Sequence, residues 1–226
     1  AAPTRPRARP ADEPGEVWQE LHRAGGVMRY AREGLNCYVT VRSSGRDRVL
    51  LLGDKPDAST IGDMPTQLMC GVVPFLARPD AKKVLVVGIG SGATARAAAD
   101  FPGVERVDVV EIEEAVVEAA RRHFDVVNEG VLDRPTTRVI LEDARTVLLT
   151  APEAEYDVII GVPTNPWIAG VANLFTLEHY QHARRSLRPG GVYMQWMQLY
   201  LTSPWMSQAM LRTYLEAFPH VEVWCG

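Results

Sequence analysis

Three glycines at two-residue spacing, Gly88, Gly90 and Gly92, lie in "VLVVGIGSGATA" between an apolar run and a helix-forming run. Glycines there permit a tight turn and let a ligand approach the backbone, while the following helix offers unpaired N–H groups. Two fingerprints fit at once. Gly88-x-Gly90-x-x-Ala93 matches a dinucleotide loop, and Gly88-x-Gly90-x-Gly92 matches an S-adenosylmethionine loop. Either way the ligand is a nucleotide or nucleoside. Glu111, 23 residues after Gly88, ends the next apolar run and can accept both hydroxyls of a ribose. Ile112 beside it is counted with the nucleoside contacts. In "LEDAR", Asp143 can accept from the exocyclic amine of an adenine, and Ala144 leaves room for the ring. Asp143 equally fits the N-cap of a helix starting near Ala144, and the two roles are compatible.

The other half of such a site should lie in "GVPTNPWIAG", residues 161 to 170, after the apolar run Asp157-Val158-Ile159-Ile160. A catalytic carboxylate would project from that loop, and none is present. Pro163 and Pro166 stiffen it. Asn165 can donate and accept hydrogen bonds but cannot hold a proton at neutral pH. Trp167 suits an apolar or cation–π wall, or equally a packed core tryptophan.

The elements that must position these residues follow from periodicity. Residues 1 to 15 contain four prolines, three arginines and four alanines. They read as a flexible linker, which implies that something precedes it. Residues 16 to 62 read as a small β-region. It has a short amphipathic helix over Glu16–Arg23, then a hairpin or three-stranded meander over Val27–Leu52 around the turn Ser43-Ser44-Gly45-Arg46. "GDKPDASTIGDMPTQ" reads as a loop, followed by a helix from about Pro65 to Leu76. Residues 63 to 226 read as a Rossmann-like nucleoside-binding domain. Strands are expected at Val84–Gly88, Arg106–Glu111, Arg138–Leu141, Tyr156–Ile160, Gly191–Gln195 and His220–Trp224. Helices are expected near 92–101, 113–123, 143–150, 174–188 and 204–217. The alternation implies an α/β fold, a parallel sheet with helices on both faces.

In this order, the glycine loop, Glu111, "LEDAR", "YDVIIGVPTNPW" and "LRPGGVYMQW" resemble the spermidine synthase family. The likeness is greatest to its membrane-fused homologues, carried by Gly53 to Ser59, Asp63-Met64-Pro65-Thr66-Gln67 and Asn165-Pro166-Trp167 through Glu178. It covers roughly residues 27 to 226. It implies a small N-terminal β-domain before a methyltransferase-like Rossmann sheet. The implied reaction moves an aminopropyl group from decarboxylated S-adenosylmethionine to a diamine such as putrescine. By resemblance, Gln67 helps hold the nucleoside, Glu111 is the ribose acid, Asp143 is the adenine-side acid, and Gly88, Gly90 and Gly92 line the cradle.

Three positions depart from that pattern. Ser91 stands where simpler members carry the aspartate that binds the donor amine. Val162 stands where they carry the aspartate that orients and deprotonates the attacking amine, and Asn165 replaces a second, diamine-contacting aspartate. A positioned base contributes about 10²- to 10⁴-fold to proton transfer. Paired acids also offset the cost of drawing a dication into a cleft. The nucleoside half of the site therefore reads as intact and the diamine half as altered. Asp57 and Asp63 are the candidate substitutes: Asp57 as a substrate contact and Asp63 as a catalytic acid, although both also fit turn and cap positions. The family's closing antiparallel strand has no counterpart before Gly226, so the sheet is expected to lack its last strand and leave an edge.

A net charge of -4 over 226 residues gives no electrostatic case for nucleic acid. Cys37, Cys70 and Cys225 form no Cys-x-x-Cys pair, so reduced thiols and a cytoplasmic location are expected, and no metal. His179 and His182 read as a surface pair. Expected partners are a small amine or polyamine, a membrane unit upstream of the linker, and a second copy of the chain. Several readings stay open: aminopropyl transfer, methyl transfer from intact S-adenosylmethionine, nucleoside sensing without catalysis, and last an NAD-dependent oxidoreductase.

Overall fold

The computed structural model describes residues 26–168, 170–199 and 202–224. The expected helix over Glu16–Arg23 lies outside them. A four-stranded antiparallel sheet comes first, in the order β1-β2-β3-β4: β1 (Val27–Glu33), β2 (Tyr38–Ser44), β3 (Asp47–Leu52) and β4 (Lys55–Ser59). Gly45 at φ +59° and Arg46 make the turn between β2 and β3, with Ser44 opposite Asp47. The fourth strand corrects the loop expected over Gly53–Ser59. Pro56 is tolerated because β4 is an edge strand, paired on one side to β3 with a register shift between Leu50 and Leu51.

The second sheet is wholly parallel, in the order β7-β6-β5-β8-β9. Its strands are β5 (Lys83–Val87), β6 (Arg106–Glu111), β7 (Thr137–Leu141), β8 (Tyr156–Gly161) and β9 (Leu187–Gln195). Alternate residues serve opposite faces. Val84 and Val86 enter one core with Val39, Val41, Leu50 and Ala58 of the first sheet. Leu85 and Val87 enter the other with Tyr180, Tyr193 and Tyr214. The N-terminal sheet therefore packs on the Rossmann unit, and Tyr30 reinforces the contact by donating to the Ala115 carbonyl and Glu118.

The helices are α1 (Met64–Val72), α2 (Pro74–Ala77), α3 (Ala93–Ala99), α4 (Glu114–His123), α5 (Asp125–Asn128), α6 (Ala144–Thr150), α7 (Leu177–Ser186) and α8 (Pro204–Ala217). Helix α4 is capped by Glu113 and carries Arg121, Arg122 and His123 in its last turn, which suits the helix dipole. The single helix expected over Pro65–Leu76 is divided, with Pro74 opening the second piece, where its missing N–H costs nothing. The helix expected from 174 to 188 is a 3₁₀ turn over Val171–Phe175 and then α7, capped by Thr176. His220–Trp224 forms no strand. Among the described residues β9 is a sheet edge, and no helix there is long and apolar enough to cross a membrane.

Candidate functional site

The glycine loop joins β5 to α3 at the carboxyl end of the parallel sheet, where α/β folds bind ligands. Gly88, Gly90 and Gly92 all have positive φ, at +93°, +53° and +86°. A Cβ on Gly88 would also lie 2.9 Å from the Val162 carbonyl oxygen, so space and conformation both require glycine there. Strand β4 comes near the loop, where a Cβ on Gly90 would meet the Ala58 Cβ at 3.5 Å.

Glu111 ends β6 beside this loop. Its Oε2 accepts from the Ile89 N–H and its Oε1 from the Glu113 N–H, each at 3.0 Å. Both oxygens are thus fixed in orientation and retain lone pairs for further donors. Burial pushes this carboxyl up to about 7, against the backbone donors that favour its charged form, and the charge of Asp57 adds to the rise. Cys37 is pushed up to about 11 by burial and by Glu113, Glu111 and Asp57, which marks where the loop before β2 meets the ends of β4 and β6. Ile112 is exposed next to Glu111 and offers an apolar surface.

Asp143 caps α6, its Oδ1 accepting from the Arg145 N–H at 2.8 Å. The Arg145 guanidinium pairs with the same carboxylate at 2.6 Å and holds its pKa below the ordinary value. The capping role is therefore present, and Ala144 is buried behind it. Gln67 is wired into the protein: its Nε2 donates to the Ser59 carbonyl and to Asp63, both at 2.9 Å, and its Oε1 accepts from the Ser91 hydroxyl. Ser91 is fully buried and turned toward Gln67. Asp63 spends Oδ1 on three donors, the Ser59 N–H, the Ser59 hydroxyl and Gln67 Nε2. That geometry makes it a positioning residue for Gln67. Asp63→Ala should lower stability by about 1–3 kcal/mol and loosen nucleoside binding with it, measured by thermal melting and titration. A variant of unchanged stability would remove that role.

The loop after β8 is pinned by the Val162 N–H, which donates to the Val87 carbonyl at 3.0 Å. The Val162 side chain is partly buried against the first core. Asn165 is fully buried, and among the described residues neither its Nδ2 nor its Oδ1 has a partner. Trp167 is 43% exposed, which decides against the core reading. Residues not singled out from sequence complete this half. Lys55 Nζ lies 2.9 Å from Thr164 Oγ1 and 3.3 Å from Asp57 Oδ1. Gln198 donates from Nε2 to the Pro163 carbonyl and leaves Oε1 unpartnered. Asn128 donates to the Ser91 carbonyl and braces the glycine loop. A lysine in a Gly/Pro/Asp-rich stretch reads as solvated, and nothing in its spacing points to Thr164.

His179 departs from the surface pair expected with His182. It is buried, its Nε2 3.1 Å from the Tyr193 hydroxyl, and burial holds its pKa down at about 4. The folded protein therefore binds fewer protons at this site than the unfolded chain between pH 6.5 and about 4. Stability from His179 is present above that window and lost as pH falls through it. His179→Gln should flatten the acid limb of a stability–pH curve, and an unchanged slope would exclude the histidine as its source.

Together these features define a Rossmann-type parallel sheet carrying an N-terminal antiparallel sheet. A spermine/spermidine synthase domain model matches residues 64–225, and the chain belongs to that family. It is 30% identical over 198 residues to a polyamine aminopropyltransferase of Aeropyrum pernix, covering 87% of this chain and 63% of the relative. A polyamine aminopropyltransferase of Pectobacterium atrosepticum is 35% identical over 187 residues, with 79% of this chain and 64% of the relative covered. The chain thus spans less than two thirds of either relative. Among solved structures, a spermidine synthase in complex with the transition-state analogue AdoDATO superposes with a TM-score of 0.79 at 24% identity, covering 85% of this chain and 66% of that one. Spermidine synthase from Thermotoga maritima gives 0.77 at 23% identity, covering 85% and 65%. These two likenesses establish the fold.

Proposed function

We propose that the chain binds the adenosyl part of decarboxylated S-adenosylmethionine along Gly88–Gly92, Glu111 and Asp143 and transfers its aminopropyl group to an amine. The observation that carries this reading is Glu111, whose two oxygens are oriented by backbone donors beside a glycine cradle. The name shared by its relatives points the same way. In such a transfer the amine lone pair attacks the carbon next to the sulfonium. The carbon–sulfur bond breaks, its electron pair neutralises the sulfur, and methylthioadenosine leaves. The amine must first lose a proton. With Val162 and Asn165 in the loop and Oδ1 of Asp63 already accepting three hydrogen bonds, the carboxylate we assign to receive it is Asp57, which Lys55 pairs.

Nucleoside binding without turnover is the second reading, favoured by the packing of Val162 into the core. The test is to titrate methylthioadenosine and then assay its release from decarboxylated S-adenosylmethionine with an amine present. Absence of binding would sink both readings, whereas binding without release would select the second. We also propose, from the "DMPTQ" and "NPWIAGVANLFTLE" segments, that the domain is the cytoplasmic part of a membrane-fused protein. Fractionation of the full-length gene product into the soluble phase without detergent would refute that.

A further inference from the structure

We propose that Lys55 and Asp57, together with the amides of Asn165 and Gln198, form a subsite for an α-amino-acid group beside the nucleoside. This rests on the reading of Glu111 as the ribose acid. Lys55 belongs to β4, whose Ala58 lies near the glycine loop, and its ammonium reaches both Asp57 and Thr164. Those contacts use two of its three donors, and one remains. The next loop residue, Asn165, is fully buried with both amide atoms unpaired among the described residues. Gln198 is 4% exposed and holds the same loop through Pro163, with its Oε1 unpaired. Buried amides are rarely left so, and a ligand that both donates and accepts hydrogen bonds would satisfy them.

Charge selects the class of ligand. Residues 161 to 170 contain no ionisable side chain; the Lys55–Asp57 pair, joined to that loop at Thr164, brings one charge of each sign beside it, with Glu111 near enough to feel the charge of Asp57. A diamine dication would meet a carboxylate already paired with Lys55. A group with one carboxylate and one ammonium fits: the carboxylate on Lys55, the ammonium on Asp57, and the amides of Asn165 and Gln198 completing the hydrogen bonds. Two ligands carry that group here, a free amino acid acting as acceptor and the amino-acid tail of an intact S-adenosyl donor.

Isothermal titration with ligand pairs differing by one carboxylate tests the subsite and identifies its source. The first pair is S-adenosylhomocysteine and its decarboxylated counterpart. The second is ornithine and putrescine, each with saturating methylthioadenosine. In at least one pair the carboxylate-bearing member should bind about tenfold more tightly. Lys55→Gln should erase that advantage, Lys55→Arg should keep most of it, and methylthioadenosine affinity should stay within about twofold in both. A preference in the first pair assigns the donor tail, and in the second the acceptor. No preference in either pair of the wild-type protein overturns the subsite, as does a preference that survives Lys55→Gln. Failure of methylthioadenosine itself to bind would overturn the nucleoside reading and this subsite together.

Discussion

Glu111→Ala abolishes the stabilisation that methylthioadenosine gives the wild-type protein. The carboxylate is the one group at the end of β6 positioned to accept two ribose hydroxyls, because Ile89 and Glu113 fix its oxygens from behind. Hydrogen bonds to a charged acceptor are worth about 1.5–3 kcal/mol each, so losing two weakens binding by about 100-fold or more. Equal ligand-induced shifts in melting temperature for wild type and variant would take Glu111 away from the ribose.

The same residue gives a pH signature. Its pKa of about 7 in the free protein means that half the molecules carry a protonated Glu111 near neutrality. Two ribose hydroxyls require the ionised form, so nucleoside affinity should fall as pH drops below about 7 and binding should release a proton. Without ligand, the folded state keeps a proton that the unfolded chain has lost between pH 4.5 and about 7. Stability from this group is therefore full below that window and is lost as pH rises through it. His179 slopes the opposite way over the lower part of the range, so Glu111→Gln must be compared with wild type to separate them. A pH-independent nucleoside affinity would contradict the raised pKa.

The parallel sheet was legible because β5 and β6 are apolar runs with alternation between two cores, each ended by a residue of evident chemistry, Gly88 or Glu111. Strand β4 was not, because Pro56 and the acids around it read as a turn, and only pairing with Val49 through Leu52 makes it a strand. That single omission hid Lys55, whose partner Thr164 lies 109 residues along the chain. Asn165 could be picked out as a departure from a family pattern, but not as a buried amide with no partner. His179 was misread because α7 is mostly polar, and only the edge-on packing of Tyr180 and Tyr193, themselves packed on Tyr214 and Phe218, encloses it. Long-range contacts of this kind leave no local period.

Val162→Asp should turn the loop after β8 from a packing element into a source of catalysis toward diamines. Its backbone position is already fixed, the N–H on Val87 and the carbonyl against Gly88, so a new carboxylate starts from a rigid anchor. A positioned base is worth about 10²- to 10⁴-fold, and we expect putrescine-dependent release of methylthioadenosine to rise at least about tenfold over a weak wild-type rate. The gain has a cost. The valine packs against the first core, and an acid there loses apolar burial, so the melting temperature should fall. Adding Asn165→Asp introduces a second carboxylate at a buried amide that has no protein partner to lose, and it should improve diamine binding further. If both variants fold and bind methylthioadenosine yet turn over no faster, the missing carboxylates are not what limits the reaction. Brisk spermidine formation by the wild-type chain would fail the idea from the other side, and would make Asp57, released from Lys55, the group that deprotonates the amine.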